Sequence, residues 1–157
     1  MKIEDPLVLR AAHKSEASTI AKMSRLQVEY GLDWRWKPQR IRHFIQDRET
    51  IVLVASVAGL LEGFAIMKFR DDDAHLLLLA VEPQSRQFGI GRAMLEWLEK
   101  SCRTAGIQQV RLEVRASNAP ARRFYECLGY RFVSQIAGYY EMREAAIVMA
   151  KSLRIRG

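Results

Sequence analysis

The chain is short of the residues that staple a fold or hold a metal. Its two cysteines, Cys102 and Cys127, have no CxxC partner and no histidine nearby, which argues against a disulfide framework or a structural zinc site and predicts two reduced, buried thiols. Four prolines and nine glycines among 157 residues fall below the excess that keeps chains disordered. Long apolar runs are missing too. The longest uncharged stretch, Ile51 to Leu61, is well short of the ~20 residues that cross a bilayer. The charged start (Lys2, Glu4, Asp5, Arg10) leaves no apolar segment for a signal peptide, so the expectation is a cytoplasmic protein with no membrane partner. Negative charge is the scarcer sign, 18 Asp and Glu against 25 Lys and Arg, and the net +7 favours anionic partners. Nucleic acid, a phosphorylated cofactor and ribosome association are the open classes, but Arg111, Arg115, Arg122 and Arg123 are interleaved with apolar residues rather than gathered in a basic run, which reads as a solvated charged face and disfavours nucleic acid.

What is present fits one domain spanning 1–157, which buries about two-thirds of its unfolded surface in a single core. Leu7 to Ala11 reads as a strand. From Ser15 to Gly31, Ala17, Ile20, Ala21, Met23 and Leu26 recur at helical spacing, and a second helix starting beside Pro38 carries Ile41, Phe44 and Ile45 inward. Ile51 to Val57 and Leu60 to Phe69 are strands about a turn at Ala58 and Gly59, and Leu76 to Val81 is a third beyond an exposed turn at Asp71 to Asp73. The unbroken Leu76 to Val81 run predicts a central strand covered on both faces. A helix follows through Met94, Trp97, Leu98 and Cys102 to Gly106, and Val110, Leu112 and Val114 then alternate with Arg111, Glu113 and Arg115 as a half-buried strand. Asn118 caps a helix whose stripe is Ala121, Phe124, Tyr125 and Leu128, and Tyr130 to Ile136 and Ala145 to Leu153 supply the last strands. The fold class is α/β or α+β.

Chemistry concentrates at Arg86, Gln87, Phe88, Gly89, Ile90, Gly91 and Arg92, between the central strand and the following helix. Glycines there let the backbone approach a ligand, and the N–H groups of a helix start suit an anion such as a phosphate. A dinucleotide fingerprint would need a third glycine where Met94 stands, although Glu113 lies at about the distance of a ribose-binding acid. No Gly-Lys-Ser/Thr follows, so the segment is not a P-loop.

Arg86, Gly89 and Gly91 instead resemble the R/Q-x-x-G-x-G/A signature of the GNAT superfamily of N-acetyltransferases. Leu112 to Asn118, Phe124 to Tyr130, Gly138-Tyr139-Tyr140 and the strand from Glu144 to Met149 look most similar to the ribosomal-protein alanine N-acetyltransferase branch and its α-amino acetylating relatives. The likeness covers about Leu76 to Leu153, while Gly31 to Trp36 differs from that branch's Phe-Pro-Trp element. The resemblance implies a mixed sheet of about six to seven strands with a splayed central strand, and about four helices. It also implies an acetyl-CoA site formed by Leu79, Ala80 and Val81, the turn Arg86 to Arg92, and Asn118, with direct transfer to a primary amine and no metal. Dimers are common in the superfamily, so a homodimer is an expectation by analogy.

Transfer needs a neutral amine. At pH 7 an α-amine near pKa 8 costs about 1 kcal/mol to deprotonate and a lysine near 10.4 about 4 to 5 kcal/mol. By the resemblance, Glu113 is the general base, directly or through water, and Tyr125 the general acid for the departing thiolate. Tyr139, Trp34 and Trp36 are candidates to line the acceptor groove or simply to pack. His13, His43 and His75 have no nucleophile at recognisable spacing and are expected at the surface or in packing. The favoured acceptor is a protein or peptide N-terminal amine. The alternatives are a small-molecule amine, a non-catalytic CoA-binding sensor, or a basic nucleic-acid binder that kept the fold.

Overall fold

The computed structural model describes residues 5–154. In chain order the main elements are strand β1 (Leu7–Ala11), helices α1 (Ala17–Gln27) and α2 (Pro38–Gln46), and strands β2 (Thr50–Val57), β3 (Leu60–Phe69) and β4 (Asp73–Val81). Helix α3 (Ile90–Thr104), strand β5 (Gln109–Arg115), helix α4 (Ala119–Cys127) and strands β6 (Arg131–Tyr140) and β7 (Glu144–Ser152) follow. The seven strands form one mixed sheet in the order β1-β2-β3-β4-β5-β7-β6, as the fold expectation required. Two compact units are distinguished: the chain up to Lys68 with Leu77–Leu98, and Phe69–Leu76 with the chain from Glu99 onward.

In the first unit, β1, β2 and β3 pair antiparallel. One face of β2 and β3 contributes Val52, Val54, Phe64 and Ile66 to a cluster with Ile20, Ala21 and Met23 of α1 and Ile41 of α2. On the opposite face Gly63 lies against Ile90 and Met94 of α3. These two strands are therefore the ones covered on both faces, with every residue from Val52 to Val57 and from Glu62 to Met67 buried. Strand β4 alternates instead: Leu76, Leu78 and Ala80 are buried while Leu77 and Leu79 are half-buried. The expectation of two-sided burial in β4 is thus corrected. A leucine run reports apolar content, whereas coverage depends on what packs opposite each face.

Helix α1 is shorter than its periodicity suggested. A 3₁₀ turn at Lys14–Glu16 precedes it, and Leu26 is exposed near its end. Helix α2 starts at Pro38 and buries Ile41 fully, with Phe44 and Ile45 half-buried. The entry to α1 is fixed by Glu16, whose carboxylate receives both Arg10 NH groups at 2.8 Å and the His13 N–H at 2.8 Å. These donors, Arg10 foremost, hold the Glu16 carboxyl down at about 2.

In the second unit, β5 pairs antiparallel with β7 from Gln109↔Ser152 to Arg115↔Ala146, and β6 forms the sheet edge beside β7. Val110, Leu112 and Val114 are buried, as the alternation predicted. Parallel pairing of β4 with β5 runs from Asp73↔Gln109 to Leu76↔Leu112 and stops there, while β4 continues to Val81. Asp73 thus belongs to a strand, and of the acidic trio only Asp71 and Asp72 form the exposed turn. Cys102 is buried, and burial pushes its thiol up to about 12, but Cys127 is exposed, against expectation. Cys127 falls in the last turn of α4 on the face away from Tyr125's burial. Among the described residues no helix is long and apolar enough to cross a membrane.

A carboxyl whose folded pKa lies below its unfolded value stabilises above the unfolded value and loses that contribution as pH falls through the folded one. The Arg10–Glu16 bond should therefore contribute fully above about pH 4.5 and fade toward pH 2. In urea unfolding, Arg10→Ala should cost about 1 kcal/mol at pH 7 and nearly nothing near pH 2. A pH-independent difference would rule the bond out as its source.

Candidate active site

The first unit carries the glycine turn. Strand β4 ends at Val81, a 3₁₀ turn covers Pro83–Ser85, and α3 begins at Ile90. Between them Gln87 (φ +70°) and Gly89 (φ +79°) both adopt the left-handed conformation, one that glycine takes without cost and glutamine does not. Gln87, Phe88 and Gly89 are exposed. The Ala93 N–H bonds to the Gly89 carbonyl at 2.9 Å, so the amides of Gly89 to Gly91 come ahead of the helical ladder, at the positive end of its dipole. Arg86 braces the turn, with Nε donating to the Val81 carbonyl at 3.1 Å and Nη2 to Gln27 Oε1 at 2.8 Å. Arg92 donates to Glu96 at 2.8 Å, one helical turn on.

Beneath this turn lies a bulge. Ala55 pairs with Gly63 and Ser56 with Leu61, which leaves Glu62 as the extra residue on β3. The Glu62 carboxylate, 8% exposed, accepts from Ser85 Oγ at 2.6 Å, and its carbonyl accepts from the Glu82 N–H at 2.8 Å. A Cβ on Gly63 would meet the Ala80 carbonyl oxygen at 2.9 Å and Met94 Cε at 3.1 Å. Neither Glu62 nor Gly63 is visible as a site residue in the sequence.

The second unit carries the candidate acid and base. Alternation along β4 and β5 places Asp73 and His75, and Arg111 and Glu113, in one ladder of polar side chains. Arg111 lies 3.5 Å from Asp73 and 3.2 Å from Glu113 Oε1, and His75 Nε2 lies 2.5 Å from Glu113 Oε2. Both side chains of the His75–Glu113 pair are close to buried, at 13% and 11% exposure. His75, expected at the surface or in packing, is half-buried and bonded to Glu113. Its partner is 38 residues away, and only the parallel register, in which His75 faces Arg111, brings them together. If Nε2 carries the proton toward the carboxylate, Nδ1 is left as an acceptor.

Tyr125 is buried in α4, edge-on to Phe124 and Tyr130 with ring centroids 5.1 and 5.7 Å away. Burial pushes its phenol above the usual value, so it stays protonated at neutral pH. Asn118 caps α4, Oδ1 accepting from the Ala121 N–H at 3.2 Å, and Glu144 ties the preceding turn through Arg115 Nε (2.7 Å) and the Ser117 N–H and hydroxyl. The Tyr139 and Tyr140 phenols are also pushed up, first by burial and with Glu113 among the nearby negative charges. In the first unit, Trp34 and Trp36 are half-buried beneath Arg25 and Arg40, at 5.1 and 4.0 Å from the guanidinium carbons. Glu29 fixes their loop by accepting from the Arg35 and Trp36 N–H groups at 2.7 and 3.1 Å. Among the described residues no cluster of three or more His, Cys, Asp or Glu side chains could hold a metal ion.

The glycine turn, Glu113 and Tyr125 lie within the segment matched by the acetyltransferase (GNAT) family, residues 19–130. The chain belongs to that family. This GNAT chain is 41% identical over 95 residues to the [ribosomal protein bS18]-alanine N-acetyltransferase of Escherichia coli K12, covering 59% of the chain and 64% of that relative. The match thus spans less than two-thirds of the relative's length. It is 27% identical over 158 residues to an N-alpha-acetyltransferase of Sulfurisphaera tokodaii, covering 92% of each. The crystal structure of the ribosomal-protein-S18-alanine N-acetyltransferase from E. coli superposes with a TM-score of 0.84 at 27% identity, covering 97% of each chain. The resemblance read from the C-terminal half of the GNAT chain is borne out.

Gly63→Ala should cost about 1 to 3 kcal/mol in urea unfolding, because the contacting atom is a backbone carbonyl that cannot rotate away. A change below 0.5 kcal/mol, on the order of an ordinary surface substitution, would mean that β3 and β4 give way freely there.

Proposed function

We propose that the protein is a single-domain acetyl-CoA-dependent N-acetyltransferase that acts on a protein or peptide N-terminal α-amine by direct attack within a ternary complex. The observation that carries this reading is the glycine turn opening on the first turn of α3. A coenzyme A diphosphate fits the donor set there: amides of Gly89 to Gly91, with Arg86 and Arg92 supplying formal charge on either side of Gln87 to Ile90. The backbone at Leu79 to Val81 pairs with the pantetheine arm as an added strand would, and a main-chain N–H there donates to the thioester carbonyl oxygen as negative charge develops on it. Asn118 holds the start of α4 for the same cofactor. The relatives named for alanine and N-alpha acetylation support the acceptor class, as does the small cost of deprotonating an α-amine compared with a lysine.

Glu113 acts as the base together with His75. The carboxylate, held by Arg111 and bonded to Nε2, fixes the imidazole and answers its positive charge, and Nδ1 offers an entry for the amine proton, directly or through one water. Tyr125 is the acid. A thiol resembling cysteine has a pKa near 8.5, below that of a phenol, so the hydroxyl first hydrogen-bonds the departing sulfur and yields its proton only as the C–S bond breaks.

Calorimetry at moderate salt should detect binding of coenzyme A and acetyl-CoA. Thiol release should then appear with peptides bearing a free N-terminus, and should be absent with Nα-blocked peptides, polyamines or aminoglycosides. Binding without release on any amine would replace this reading with a CoA sensor. Tyr125→Phe should lower kcat by ~10²-fold with coenzyme A binding nearly intact, and an undiminished kcat removes the acid role. Glu113→Gln and His75→Asn should each lower kcat about 10²-fold at pH 7, and the double variant should be little worse than either single one. The deficits should shrink above about pH 8, where the acceptor α-amine is already neutral. Deficits that hold constant up to pH 9 would show damage to packing instead of a lost base.

A further inference from the structure

The bulge under the glycine turn buries an acid that the proposed reaction does not use. Glu62 is 8% exposed and Ser85 fully buried, yet their side chains meet at 2.6 Å across 23 residues of sequence. Neighbouring contacts come from the same two-residue stretch of β3. The Glu62 carbonyl accepts from the Glu82 N–H just past the end of β4, and Gly63 abuts the Ala80 carbonyl and the first turns of α3 at Ile90 and Met94. Every segment assigned to the cofactor in the first unit is thus tied to this point, Ala80 and Val81 on one side and the turn Arg86 to Arg92 on the other.

An apolar residue at position 62 would bury at lower cost than a carboxylate, since a buried charge is tolerated only where it is bonded. The bond it makes restrains the 3₁₀ turn immediately before the left-handed Gln87, whose conformation must be held by its surroundings. We propose that the Glu62–Ser85 bond is a latch that holds the glycine turn in its diphosphate-binding conformation, making Glu62 and Ser85 positioning residues for acetyl-CoA. This rests on the acetyl-CoA reading above. Coenzyme affinity includes the cost of ordering the turn, and the latch meets that cost before the ligand arrives.

Removing the serine hydroxyl leaves the Glu62 carboxylate buried without that bond, which by itself endangers folding. Replacing both by apolar groups avoids that penalty. The informative variant is therefore Glu62→Val/Ser85→Ala, with Glu62→Gln as the conservative control that still accepts from the serine hydroxyl. The double variant should unfold in urea at a midpoint close to wild type, yet bind coenzyme A about tenfold more weakly by calorimetry. Its KM for acetyl-CoA should rise by a similar factor, while kcat at saturating acetyl-CoA and the KM of the peptide change little. Glu62→Gln should retain most of the affinity. Amide hydrogen exchange at residues 86–92 should quicken in the double variant and not along β2.

Wild-type affinity and exchange in the double variant would overturn the latch while leaving the acetyl-CoA reading intact. Equal losses in kcat, peptide KM and coenzyme affinity would also overturn it, as general damage. Failure of the wild-type protein to bind coenzyme A would remove the acetyl-CoA reading itself and the latch with it.

Discussion

Parallel pairing between β4 and β5 extends over four positions, and the placement of each charged group at the proposed base depends on that register. Because His75 faces Arg111 and side chains alternate, Asp73, Arg111, Glu113 and His75 fall in sequence along one face. A slip by one residue would turn Glu113 to the face now filled by Leu112 and Val114. The buried alternate positions of β5 and its full pairing with β7 guard against such a slip. The geometry of the proposed base is in that sense a by-product of core packing, since the apolar half of the strand holds the polar half in place.

The first unit works on a different basis. Its turn has exposed side chains and no packed core of its own, so its conformation is imposed from below, by a bulge, a glycine that admits a carbonyl, and an arginine spent on backbone and side-chain oxygens. Main-chain amides carry no sequence-specific chemistry, and their usefulness lies in being held in one arrangement. In the proposed acetyl-CoA site the flanking arginines supply long-range attraction, whereas the local fold supplies the aim.

Much of this was legible in the residues. Period-2 spacing put Glu113 on the polar face of β5, helical spacing put Tyr125 in the stripe of α4, and Asn118 reads correctly as a cap. The glycine turn falls where the buried strand gives way to the helix. What could not be read has a common cause, since it depends on contacts distant in sequence. His75 gains its meaning from a partner 38 residues on, and Ser85 from one 23 residues back. The leucines of β4 announced burial without saying on which face, and the small residues Ala55, Gly63 and Ala65 gave little hint that β2 and β3 are the doubly covered strands. Leu26 shows the same limit at a helix end, where an apolar residue can keep the period after the packing surface has run out, whereas Cys127 is exposed because it lies off the apolar stripe of α4.

The contrast between the two cysteines has a practical side. Cys102 is sealed in the core with its thiol pushed to about 12, whereas Cys127 is exposed in the same short helix as Tyr125. A maleimide dye or a fluorinated tag added to the native protein would thus attach at a single place without any engineered cysteine. The wild-type chain in this way carries its own attachment point for a spectroscopic reporter two residues from the proposed acid.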